Sequence, residues 1–106
     1  MYVRMVFFKA KAGSSDEIRN LYLEEVIPSH KTRKGIRFVH LLENVDNNDE
    51  GISITAWDTK GDLDIYEKSG DYQKAIDKFK DYFEEEIKVK SFEVVASSDP
   101  VILRLF

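Results

Sequence analysis

The chain carries two histidines, one tryptophan and five tyrosines but no cysteine, and that inventory limits its chemistry. Without a thiol there is no cysteine nucleophile, thiolate metal site or disulfide. His40 stands in IRFVHLLENV, where Ile36, Phe38, His40 and Leu42 are expected on one side of a strand and Arg37, Val39, Leu41 and Glu43 on the other. Burial between Phe38 and Leu42 would keep the imidazole neutral and able to accept a proton, which makes His40 the candidate base. A satisfied core or interface histidine is the alternative. His30 begins the cationic stretch HKTRKG and is expected at the surface.

Trp57, in ITAWDTKG, is out of phase with Ile52, Ile54 and Ala56 and so faces away from them. It either packs under a helix or at a subunit seam, or walls a pocket. Tyr66 and Tyr72 offer phenol groups that could orient a phenol or quinol, and their spacing suits core packing equally. Arg4 and Arg37 are strand arginines, each able to hold an enolate or phenolate beside an apolar cavity, or to form an ion pair with Glu43 or Glu93. Ser53 has no evident activating base and is not assigned as a nucleophile. The two histidines stand ten residues apart with no carboxylate patterned between them, so no metal site is expected.

Those side chains need elements to hold them. YVRMVFFKA, from Tyr2 to Ala10, reads as a first strand. Ser14 and Glu17 fit a capping box, and Ile18, Leu21, Tyr22 and Val26 mark the apolar face of a helix that Pro28 ends or bends. The second and third strands flank the turn-forming run DNNDEG and form a hairpin. A short helix over 59–70 is broken by Gly70, and a longer one carries Tyr72, Ala75, Ile76, Phe79 and Phe83 on one face. VKSFEVVAS is the fourth strand.

This order, βαββαβ, is the α+β ferredoxin-like arrangement: an antiparallel four-stranded sheet with helices on one face, in a single domain over 1–106. The uncovered sheet face is apolar as well, so a homodimer pairing sheet on sheet is expected. Residues 97–106 would form a C-terminal arm lying on the partner or folding back locally.

With 16 basic against 20 acidic side chains the formal charge is -4, unfavourable for a nucleic-acid partner. No apolar run approaches the ~20 residues of a membrane span, and no signal peptide is evident, so a cytoplasmic protein without a membrane partner is expected.

The register of WDTKGDLDIYEKSGDYQKA, with Trp57, Thr59, Leu63, Tyr66, Ser69 and Tyr72, resembles the antibiotic biosynthesis monooxygenase family of dimeric α/β barrels. Gly13 and Gly35 fit the same pattern, and the resemblance spans roughly 2–97. It implies a homodimer and, in some branches, oxygenation without a cofactor. In the haem-degrading branch, the axial histidine falls at Ile76 and a second tryptophan at Tyr66, while the first-strand asparagine is missing from RMVFF; isoleucine cannot ligate iron. Of the polyketide branch's set only Trp57 is retained, Ser53, Leu63 and Asp77 standing at the other positions.

The expectation is therefore a cofactor-independent monooxygenase that oxidises an electron-rich phenol, quinol or polyketide-like aromatic with dioxygen. His40 would be its base, and Trp57, Tyr66, Tyr72 and Arg37 would bind the substrate. A non-catalytic dimeric small-molecule-binding protein of the same fold is the alternative.

Overall fold

The computed structural model describes residues 1–99. Strand β1 (Tyr2–Lys9) is followed by helix α1 (Ser15–Leu21), which runs through a π-helical turn (Tyr22–Val26) into α2 (Ile27–His30). The hairpin β2 (Ile36–Asn44) and β3 (Asn47–Trp57) leads to α3 (Lys60–Lys68) and α4 (Asp71–Phe79), then to a 3₁₀ turn (Lys80–Tyr82) and β4 (Lys88–Glu93). The strands lie in the order β2-β3-β1-β4, all neighbours antiparallel. The expected ferredoxin-like fold is thus observed.

The apolar face of the first helix, Ile18, Tyr22 and Val26, closes with Ala10 and Phe79 into the core between helices and sheet. The opposite face of the sheet carries Met5, Phe38 and Ile54 around the buried Val3 and Ala56. Leu42 and Phe92 are exposed, and among the described residues no helix covers this face.

Local expectations fail where backbone geometry overrides side-chain type. Pro28 does not end the helix. In the π turn the Ile27 amide reaches back to Tyr22 O, and Pro28 follows directly at the start of α2. The capping box does not form either: Ser14 has φ -96 and ψ 0, outside the extended region that aims a cap hydroxyl at the helix amides, and its side chain makes no cap bond. Thr59, at φ -130 and ψ 158, does cap, accepting from Asp62 N.

In β2 the strict alternation expected from Ile36 onward is broken by a bulge between Ile36 and Phe38. Ile36 consequently shares the helix side with Trp57, while Phe38 faces out. Phe83 lies beyond the helix in extended backbone, and β4 closes at Glu93. Of the expected C-terminal arm, residues 100–106 lie outside the described residues. Among the described residues no helix is long and apolar enough to cross a membrane.

Candidate functional site

Between the helices and the sheet lies a cavity of about 50 Å³. Strand alternation turns Arg4, Val6 and Phe8 of β1 and Ser53 and Thr55 of β3 toward it, and α3 and α4 close it with Tyr66, Tyr72, Ile76 and Phe79. The first helical segment contributes Ile18, Tyr22, Val26 and His30. Steps of four drift by roughly 40° each on a regular α-helix. The wider π turn offsets part of that drift and keeps His30 over the sheet.

His30 is 2% exposed, which corrects the expectation of a surface histidine. Its ring centroid lies 4.9 Å from that of Tyr66 and 6.2 Å from that of Trp57. Nδ1 is 2.8 Å from Val26 O, an atom that can only accept, so Nδ1 carries the proton. Nε2 is then a bare lone pair, and among the described residues it is buried without a hydrogen-bond partner. Burial is the main cause holding the His30 pKa below its ordinary value; the Val26 carbonyl opposes this, and the Arg33 and Arg4 cations add to it. A neutral imidazole with a free acceptor in the lining of a cavity is equipped to take a proton.

Arg4 is also buried, at 4% exposed. Its Nε donates to Glu67 Oε1 at 3.1 Å, and its guanidinium stands 3.8 Å from the Tyr72 ring centroid and 5.8 Å from that of Tyr66. Arg33, paired with Asp71, covers Tyr66 at 4.8 Å. Trp57 stands behind the cavity, stacked on Tyr66 at 5.1 Å, its Nε1 donating to Thr55 Oγ1 at 2.9 Å. The Tyr22 hydroxyl donates to His40 O at 3.0 Å and lies 2.9 Å from Ser53 Oγ. Burial pushes the Tyr22 phenol up to about 12, against the Ser53 bond that lowers it, and burial raises Tyr66 as well. Both phenols stay protonated at neutral pH.

Of the residues singled out from sequence, Trp57, Tyr66 and Tyr72 are brought together. His40 is not among them: it is exposed on the outer sheet face, stacked on Phe38 at 4.5 Å, and only its backbone carbonyl reaches the site. Its expected burial would require something to cover that face. Arg37 sits in the β2 bulge, paired with Asp58 at 3.5 Å, away from the cavity. Its partner is neither Glu43 nor Glu93. The guanidinium that does line the cavity is Arg4.

His30 was legible as the continuation of the stripe Ile18, Tyr22, Val26, had the helix been carried past Pro28. Among the described residues no group of three His, Cys, Asp or Glu side chains could hold a metal ion.

The profile of the family described as "Antibiotic biosynthesis monooxygenase" matches residues 1–78. No curated protein is recognisably related by sequence. Among solved structures the chain is similar to a protein from Deinococcus radiodurans bearing the same family description, with a TM-score of 0.79, 16% identity and 93% and 97% of the two chains covered. It is similar to Rv0793 from Mycobacterium tuberculosis, at a TM-score of 0.75 and 16% identity over 92% and 98%. A variant of SnoaB, a cofactor-independent oxygenase from Streptomyces nogalater, superposes with a TM-score of 0.78 at 10% identity over 92% and 95%. At these identities the likeness speaks for the fold.

Proposed function

We propose that this chain, which belongs to the antibiotic biosynthesis monooxygenase family, oxygenates an electron-rich phenolic or quinol-type aromatic with dioxygen and without a cofactor, using His30 as base. The observation that carries the reading is the unpartnered, buried Nε2 of a neutral histidine inside an aromatic-walled cavity. In this reading Nε2 takes a proton from an activated C–H or O–H of the substrate. The resulting anion is held by the Arg4 charge and gives one electron to dioxygen. Recombination of the radical pair forms a C–O bond, and the His30 proton completes a hydroperoxide at that carbon. Loss of water from a hydroperoxide on a carbon that bears a second hydrogen leaves a carbonyl. One oxygen atom enters the product and the other leaves as water, so no external reductant is needed.

Tyr66 and Tyr72, in edge contact with each other, would together wall one side of the ring, with Trp57 stiffening Tyr66 from behind. The cavity is smaller than the ~150 Å³ of a cavity known to admit benzene. A one-ring substrate therefore requires α4, which presents the half-buried Tyr72, Ala75 and Ile76, to move outward behind Gly70. SnoaB is an oxygenase of the same fold that also works without a cofactor, which supports the class of chemistry.

The protein acts as a homodimer in this reading. The apolar sheet face around Phe38 and Ile54 is what a second copy would cover, and His40 would then be an interface residue.

The test is oxygen uptake with a panel of hydroquinones and anthrone-like phenols, with product analysis in ¹⁸O₂. His30→Gln should lower kcat at least 100-fold while His40→Gln retains most activity. Absence of uptake by the native protein across the panel would remove the oxygenase reading and leave a binding protein.

A further inference from the structure

The Arg4 guanidinium is only partly used by the protein. Its Nε engages Glu67, yet among the described residues neither Nη finds a hydrogen-bond acceptor. Glu67 does not enclose the charge, since its side chain is 39% exposed whereas that of Arg4 is 5% exposed. Below the guanidinium, the Tyr72 face at 3.8 Å supplies π density but no lone pair directed at the Nη hydrogens. Neither Nη belongs to the buried side-chain atoms left without a partner, so both keep some contact with solvent, which an acceptor entering the cavity would replace. A fork of two Nη groups matches a carboxylate in a bidentate pair, the geometry that distinguishes arginine from lysine. Arg33, itself paired with Asp71, places a second guanidinium over Tyr66.

We infer that the cavity's ligand is an aromatic acid: its carboxylate is received by the two free Nη groups of Arg4, and its ring lies against Tyr72 and Tyr66. This rests on the site proposed above and narrows its substrate class. Arg4 and His30 line the same cavity, so a ligand anchored on Arg4 shares that cavity with His30. A single ring asks the least outward movement of α4. Arg4 selects the ligand for its charge and keeps a cation beside the anion that His30 generates.

The probe pair is 2,5-dihydroxybenzoate and its methyl ester, which differ by one negative charge. Binding is followed by Trp57 fluorescence and by calorimetry in the native protein, Arg4→Gln and Glu67→Gln. The native protein should bind the acid at least tenfold tighter than the ester. Arg4→Gln should abolish that preference, and Glu67→Gln, which removes the competing carboxylate, should enlarge it severalfold. An ester that binds as well as the acid, absence of saturable acid binding, or an acid preference that persists in a folded Arg4→Gln would overturn the inference. If Arg4→Gln does not fold, Glu67→Gln decides: a preference that stays level or falls overturns it. The readout is binding, so acid selectivity without oxygen uptake would sink the oxygenase reading and leave the carboxylate site standing.

Discussion

Replacing His30 by glutamine tests the central assignment, because glutamine has similar reach and an amide that can still bond Val26 O but cannot titrate. In the folded protein burial holds the His30 pKa below the ordinary 6.5, while in the unfolded chain the ring regains its ordinary value. Between those two pKa values the unfolded chain binds more protons than the folded one, so stability rises with pH across that window. The histidine's contribution is therefore fully present above about pH 6.5 and is lost as the pH falls toward the folded pKa. The slope for one proton reaches at most ~1.4 kcal/mol per pH unit. Loss of the ring packed against Tyr66 and Trp57 should add a pH-independent penalty of about 1–2 kcal/mol.

Urea unfolding of native protein and variant from pH 8 to pH 5 reads both terms. The stability difference should hold level in the alkaline half and shrink in the acid half, where only the native protein pays for keeping its imidazole neutral. Long-range ¹H–¹⁵N spectra at pH 7 should show Nδ1 protonated and Nε2 bare. A difference that stays level down to pH 5, or the opposite tautomer, would refute the account of a buried neutral base.

Gly35→Ala should destabilise by ~2–4 kcal/mol, since Gly35 has φ +82 and a Cβ there would lie 2.1 Å from Asp62 Oδ2 and 2.8 Å from Asp62 Cβ. Gly70→Ala shares the positive φ but meets nothing within 4 Å, so thermal melts should show the smaller cost of ~1–2 kcal/mol. Tyr22→Phe removes the hydroxyl that joins Ser53 to His40 O and should cost ~1–2 kcal/mol by denaturant titration, with oxygen uptake changing far less than in His30→Gln. Ile54→Lys, placed on the outer sheet face, should give a monomer by light scattering if a second copy covers that face; an unchanged mass would place the interface elsewhere.

The aromatic register around Trp57, the order of the elements and the two apolar sheet faces were legible in the amino-acid sequence, because alternation and helical spacing report directly which side of an element is buried. That was sufficient for the fold class and for placing Tyr66 and Tyr72 near Trp57. It was insufficient for the base. The sequence sets His40 between Phe38 and Leu42 and His30 at the head of a cationic stretch, and the reversal of their expected places turned on irregularities that residue types do not announce. One is the π turn that carries the first helix through Pro28 and delivers His30 to the cavity. The other is the β2 bulge that leaves Arg37 beside Asp58. Arg4 was recognisable as a strand arginine, but its open Nη groups follow from where Glu67 and Tyr72 arrive after α3 and α4 dock. Periodicity determines which face a residue takes, whereas hydrogen-bond satisfaction is a property of the packed whole, and only the tertiary structure decided which polar atoms were left free for a ligand.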